Sequence, residues 1–447
     1  MNKLLYIAIF ICLIITSCSD DVIDYDLELD QQLQEAMRHY SPENSHEFYI
    51  LPSSDNLNSV PQDDKNKLIA GKVELGKFIF YETGFAGAAL KESGEKSYSC
   101  ASCHLPEEGF RPGRIQGIAD GGIGFGLSGE ERTINEDYQE SELDIQGIRP
   151  LSLVNVAFVK NTFWNGQFGG GNVNEGTEHL WNDDHALERN HWGFEGIETQ
   201  NFEGVEAHRI SINLELIEKY GYKELFDQCF PEYDESERYS SLTASLAISS
   251  YIRTIISDRA PFQDWLKGNT NAMSFAEKEG ALLFFGKAKC SSCHYEKNLG
   301  SSEFHVLGVK DMDQHPDAMN KNPDDPRNLG RGGFTKNPAD NYKFKVPGLY
   351  NVSDSPFYFH GSSKESLEEV IRYKAKALRE NSRVSQLKMS DKLHKLELTD
   401  SEIEKLVLFL EKSLRDPDLI RYETDYIKSG LCFPNNDSQS RLDLGCD

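Results

Sequence analysis

Apolar residues recur at helical spacing in several separated stretches of the chain, and these predict its main elements. Leu68, Leu75 and Ile79 share one face of a helix over 68–81. Leu242, Leu246, Ile248, Ile252 and Ile255 describe a buried helix over 241–256, and Ile403, Leu406, Val407 and Leu410 line one face of a later one. Three Ser/Thr-x-x-Glu pairs mark helix starts: Ser274/Glu277, which opens a helix over 275–285, Ser366/Glu369 and Thr399/Glu402. In each, hydroxyl and carboxylate can accept reciprocally from the first free N–H groups. Residues 19–65 are polar and acidic and read as a tether with one short helix over 28–39. Residues 112–148 are glycine-rich, then acidic, and without a period, so they read as a long loop. Within them Gly124–Gly129 matches GxGxxG, but no strand is expected before it and no helix after it, so dinucleotide binding is set aside. The fold expected is mainly α, with long ordered loops.

The first residues have a different pattern. Lys3 precedes an apolar run from Leu4 to Ile15, which ends Ile-Thr-Ser-Cys18. The run is too short to span a bilayer and right for a secretory signal. Its end resembles the bacterial lipoprotein cleavage box. The expectation is a removed segment 1–17 and a lipid anchor at Cys18, in a bacterial cell envelope and facing the periplasm or the outer membrane. That compartment permits disulfides. Cys432 and Cys446 would close a tail loop worth roughly 3 kcal/mol, and Cys229 is expected to be a buried thiol. The 447 residues are enough for two or three cores. Lys plus Arg number 47 against 73 Asp plus Glu, a net charge of −26. Such a surface repels phosphate backbones, which excludes nucleic acid as the default partner and favours a basic one. Whether the chain forms a homodimer stays open.

Chemistry enters with two short strings, Cys100-Ala-Ser-Cys103-His104 and Cys290-Ser-Ser-Cys293-His294. Both are C-x-x-C-H, the attachment motif of c-type haem. Two thiols three residues apart on one turn reach the two vinyl groups of a haem, and the next residue can bind iron from the proximal side. A thiol–disulfide redox pair needs no His after the second Cys and no second copy. A zinc site would have to join pairs 190 residues apart, each with its own His. The reading is two covalently bound c-type haems, with His104 and His294 as proximal ligands. Up to this point a haem enzyme and a dihaem electron carrier both fit.

A wider set of strings resembles the bacterial dihaem cytochrome c peroxidases and their MauG relatives. They include Leu75-Gly-Lys-Phe-Ile-Phe80, Ser99–Pro106 with Phe110, Asn155, Phe163-Trp-Asn-Gly166, Arg253-Thr254 and Ala272–Gly280. Phe304–Val309, Gly330-Arg331, Phe344–Val352, Tyr358-Phe-His-Gly361 and Ser366–Val370 continue the likeness in the family's order. It spans about 62–415. The resemblance implies two cytochrome c-like helical domains, one haem each: an N-terminal peroxidatic domain over 62–257, a joint over 258–273, an electron-transfer domain over 274–416 and a tail over 417–447, after an acidic tether over 18–61. It implies reduction of hydrogen peroxide with two electrons and two protons to two waters. The electrons would come from a small periplasmic donor such as cytochrome c, entering at the C-terminal haem.

The resemblance also carries candidate residues. Trp164 matches the tryptophan between the haems. Gln200 matches the Gln that handles protons on peroxide, whereas the family Glu falls near Ile210, which leaves Glu206 and His208 as substitutes. Many members cap the peroxidatic haem with a His in the loop after the first motif. Residues 105–178 contain none, so that haem is expected to be uncapped from this loop, with His179, His185 and His191 as the nearby replacements. For the second haem, peroxidases use an axial Met and MauG-type oxidases an axial Tyr. Direct alignment puts the family position at Lys374, one residue off; Tyr373, brought inward by a one-residue shift of the helix, and the later Met389 are the two candidates. Calcium, which the family holds between its domains, would find Ser355 and the Phe357 carbonyl here, but its Asn is replaced around Arg149-Pro150. The alternatives to a peroxidase are a MauG-like oxidase acting on another substrate and a non-catalytic dihaem electron carrier.

Overall fold

The computed structural model describes residues 25–182 and 185–446. The expected signal segment and Cys18 lie outside them. The principal helices are α1 (Tyr25–Tyr40), α2 (Ala70–Tyr81), α3 (Gly196–Ala207), α4 (Ser241–Arg253), α5 (Phe275–Phe284), α6 (Leu367–Lys376) and α7 (Asp400–Leu408). Among the described residues, strands are confined to two antiparallel pairs: β1 (Gly122–Ile123) with β2 (Thr133–Ile134), and β3 (Phe304–Val306) with β4 (Lys343–Lys345). The fold is mainly helical, as the apolar periodicity predicts, with 3-10 turns and long ordered connections between the helices.

Each half is built on one close helix pair. α2 packs on α4, and a Cβ at Gly76 would stand 1.9 Å from the Ala247 carbonyl oxygen. α5 packs on α7, and a Cβ at Gly280 would stand 2.0 Å from the Lys405 carbonyl oxygen. Only glycine allows the two backbones to touch at these crossings. A C-x-x-C-H turn follows each glycine-bearing helix, so the crossings fix where the two motifs sit. α3 is tied to α4 by the fully buried pair Arg253–Glu198, whose Nη2 and Oε2 are 2.6 Å apart. Two capping boxes form as expected, at Ser274/Glu277 and Thr399/Glu402. The third is half made: Ser366 Oγ accepts from Glu369 N–H, but the Glu369 carboxylate turns to Glu365 N–H.

Three sequence expectations change. Residues 25–65 are not a loose tether. Leu33, Met37 and Tyr49 are fully buried, and Asp26 and Asp30 of α1 accept from the buried Lys278 on α5 at 2.7 and 2.9 Å. The N-terminal segment therefore packs on the second half. The C-terminal tail runs the other way and packs on the first half. Ser99 Oγ donates to Pro434 O at 2.9 Å, and Arg132 and Asp437 form a buried ion pair at 3.0 Å. Third, a two-residue strand does precede Gly124–Gly129. The loop's N–H groups donate to the carboxylates of Asp437 and Asp443, so they are already satisfied. The Cys432–Cys446 disulfide is present, and Cys229 is a buried free thiol. One apolar core draws on residues from both halves.

Candidate haem sites

Cys100–Ser102 and Cys290–Ser292 are single 3-10 turns, which put each pair of thiols on one side of the backbone. The four cysteines are free. Burial pushes the Cys100 and Cys103 thiols up to about 12 and Cys290 to about 11. A dithiol redox centre needs a stabilised thiolate, so the first motif, where both thiols are raised, opposes that reading and suits apolar thioether attachment. In the second, against the opposing effect of burial, the His305 hydrogen bond holds the Cys293 thiol below its ordinary value. In each motif the following His is fixed in the same way. His104 Nδ1–H donates to Phe110 O at 2.9 Å and His294 Nδ1–H donates to Leu299 O at 2.8 Å. Nε2 of each ring is then the unprotonated nitrogen, available to a metal. Burial holds His104 down at about 4 and His294 at about 3, so both rings are neutral at ordinary pH.

Beside the second motif lies a deep, mostly apolar cavity. Its walls include Phe284, Val309, Val352, Leu406 and Leu410, and Cys290, Cys293 and His294 lie on its surface. From α6 the cavity receives Leu367, Val370, Ile371 and Lys374. At one side it meets Arg111, Arg149 and Lys345, three cations with no carboxylate at hydrogen-bonding distance among the described residues. Arg149 is 2% exposed and bonds only to carbonyls and to the Ser355 hydroxyl; its Nε has no partner. Burial pulls Arg111 down to about 10, Arg149 to about 9 and Lys345 to about 8. Buried positive charges without counter-charges are costly. A planar apolar group carrying two carboxylates supplies what this cavity lacks, and a haem has that composition.

The first motif is surrounded by aromatic side chains, with the Phe80 ring 6.5 Å from His104. His208, at the C-terminal end of α3, lies near enough for its charge to be felt at His104. Its Nδ1 is 2.8 Å from Asp144 Oδ2, and the Asp144 carboxylate raises its pKa against the opposing effect of burial. Gln200, Gly204 and His208 fall on one helical stripe, and the space a Gly204 side chain would enter is open. Glu206 leaves this group. It is exposed and paired with Arg189 at 2.5 Å. His179 and His185 are also exposed, and His191 bonds to Asn182 at 3.0 Å, so these three lie on the surface.

Trp164 lines the second cavity. Its Nε1–H donates to Arg149 O at 2.6 Å, and its ring meets Phe344 and His360 edge-on. Arg111 lines the same cavity and is felt at His104, so the two sites share a wall. The two expected sixth ligands of the second haem are not on the cavity surface. Tyr373 points away and donates its hydroxyl to Leu307 O at 2.6 Å. Met389 lies behind Gly308, whose Cβ would be 3.6 Å from its Sδ. The calcium donors are spent as well. Ser355 Oγ accepts from Arg149 Nη2 at 2.8 Å and donates to Phe357 O at 3.0 Å, so a guanidinium takes the cation's place and these residues do not suit calcium. Asp144, Arg111, Arg149 and Lys345 were missed as site residues because each comes from a loop or strand whose local pattern carries no signal. Cys293, Glu303 and His305 also cluster within 4.8 Å. Cys293 belongs to the attachment motif, so the cluster is read as part of the haem wall.

Two C-x-x-C-H turns, each with a neutral, oriented His beside an apolar site, define a dihaem c-type cytochrome. Comparison with known proteins narrows the class. Residues 70–271 match the family model described as di-haem cytochrome c peroxidase. The chain is 28% identical over 396 residues to the cytochrome-c peroxidase IdrP1 of Denitromonas iodatirespirans, covering 81% of this chain and 86% of that one. It is 26% identical over 370 residues to the methylamine utilization protein MauG of Methylorubrum extorquens, covering 81% and 83%. Among solved structures, a MauG-like protein associated with microbial copper homeostasis superposes with a TM-score of 0.58 at 23% identity, covering 83% of this chain and 95% of that one. The chain is similar to the di-haem cytochrome c peroxidases and MauG proteins over most of its length, and it binds two c-type haems.

Proposed function

We propose that this protein is a dihaem peroxidase that reduces hydrogen peroxide to water at the N-terminal haem, with electrons entering at the C-terminal haem from a small donor such as cytochrome c. Cys100 and Cys103 would hold the first haem and Cys290 and Cys293 the second, with His104 and His294 as proximal ligands. The haem of the first motif, when bound, supplies the redox chemistry that cleaves the O–O bond. The residues around it manage protons. The observation that carries the reading is the Asp144–His208 pair beside the first motif. Asp144 holds Nδ1 of His208, which leaves Nε2 to take a proton from one peroxide oxygen and return it to the other. Gln200, on the same stripe of α3, would orient peroxide by its amide. Overall, one peroxide, two electrons and two protons give two waters. Arg111, which lines the second cavity and is felt at His104, and Trp164 on the wall of that cavity would lie between the centres.

Turnover of peroxide with a reduced donor tests this. The variant His208→Gln should lose roughly 10²–10⁴-fold in kcat/KM, the usual contribution of a positioned acid/base. Glu206→Gln should stay near wild type. Equal rates for His208→Gln and wild type would refute the assignment. A second reading, a MauG-like oxidase acting on another molecule, is supported by the 26% identity to MauG over 370 residues. We further propose a lipid anchor at Cys18 and an envelope location. Among the described residues, no helix is long and apolar enough to cross a membrane.

A further inference from the structure

α6 presents a single stripe to the second cavity. Leu367, Val370, Ile371 and Lys374 stand at i, i+3, i+4 and i+7, and all four line it. The stripe ends on an amine. Lys374 has no hydrogen bond or ion pair to another described residue, although the lysines around it do: Lys364 binds Glu380 and Lys392 binds Glu303. Lys374 and the motif line the same cavity, and a charge on Lys374 is felt at Cys290, Cys293 and His294 together.

Several other potential ligands on this cavity are committed elsewhere, and His394 stands on its exposed rim. His305 has both ring nitrogens engaged, Nδ1 with Ser390 Oγ at 2.9 Å and Nε2 with Glu303 at 2.8 Å. His360 Nε2 is 2.9 Å from Asp311 Oδ1, and its ring is stacked on Phe344 at 3.6 Å. Lys345 Nζ lies over the Phe304 ring, beside Arg331. Tyr373, one residue from Lys374, is turned 100° off the stripe by helical geometry, and its hydroxyl is held by Leu307 O.

We propose that Lys374 is the sixth ligand of the C-terminal haem, opposite His294, through its neutral ε-amine. The second centre is then a His/Lys haem. An amine nitrogen is a harder donor than a thioether sulfur and favours ferric iron, so this haem would have a lower potential than a His/Met centre. Lys374 is a ligand in this account and takes no part in the peroxide chemistry. The inference needs the haem at Cys290–His294 but not the peroxidase reading.

The test uses the ferric dihaem protein without peroxide or donor, with two haems per chain verified for each variant. Electron paramagnetic resonance gives spin state, and near-infrared magnetic circular dichroism gives ligand type. Wild type should show a low-spin haem with neither the methionine–iron nor the phenolate–iron charge-transfer band. Lys374→Ala should convert one haem to high spin. Lys374→Met should restore low spin, add the methionine–iron band and raise one midpoint potential. Lys374→Arg keeps the charge but cannot ligate, so it should also go high spin; it serves if the alanine variant loads poorly. Tyr373→Phe, Met389→Leu and His394→Ala, the last on the exposed rim, should leave the low-spin signal intact. The proposal is overturned if Lys374→Ala and Lys374→Arg keep the wild-type spectrum. It is also overturned if wild type shows a methionine or phenolate band, or if one of the three control variants loses the low-spin haem.

Discussion

His208 and Glu206 are two residues apart, and the helix sends them to different surroundings. Glu206 faces Arg189 and solvent, whereas His208 is held by the largely buried Asp144 within reach of His104. Asp144 raises the His208 pKa. Replacing it in Asp144→Asn removes the negative charge, so the acidic limb of the kcat/KM–pH profile should move to lower pH while the maximum falls. A limb that stays where it is would remove His208 from the protonation scheme. The same pair adds stability that is fully present below the ordinary imidazole range and is lost as pH rises through the raised value in the folded state. Asp144 was not legible as a site residue because it stands in an acidic loop that reads as solvated and its partner lies 64 positions away.

The helices were the most legible elements, because apolar spacing and capping chemistry are local properties. Their crossings depend on single residues. Ala at Gly76 or Gly280 would drive a methyl group into a backbone carbonyl at about 2 Å, so each substitution should destabilise by roughly 1–3 kcal/mol. Thermal unfolding of the dihaem protein would register this as a lowered Tm, and an unchanged Tm would mean that the helices can separate without cost. The Arg253–Glu198 pair between α3 and α4 is fully buried. Glu198→Ala leaves the guanidinium only the less buried Glu195, 3.0 Å from Nη2, and chemical denaturation should report a loss of up to roughly 3 kcal/mol. Tyr373 and Lys374 show where element-level reading stops. A helix over this stretch was foreseen, but which of two neighbours faces the cavity depends on the rotation of α6, which packing sets.

Across the whole molecule the ends of the chain cross over. α1 packs on the second half through Asp26 and Asp30, and the tail packs on the first half through Pro434 and Asp437. Removing the tail disulfide with Cys432→Ser should therefore destabilise the region around the first motif, by roughly 2–3 kcal/mol for a loop of this size, and leave the spectrum of the second haem unchanged. A loss confined to the second haem would contradict the crossing. The net charge of −26 bears on partners at the same scale. With a basic donor, turnover should fall as ionic strength rises through physiological values, because the attraction between surfaces is screened.

By itself the sequence determined the cofactor, the helical class and the family resemblance, and it pointed to His104 and His294 as the proposed proximal ligands. These are written in residues a few positions apart, where covalent geometry and helical periodicity convert spacing directly into structure. Tertiary structure alone decided which side chains meet across the sites: Asp144 with His208, Arg149 with Ser355 in place of a calcium ion, Lys374 rather than Tyr373 on the cavity wall, and each terminus with the opposite half. Such meetings depend on how helices rotate and cross when they bury a shared core, and no local window of residues encodes that.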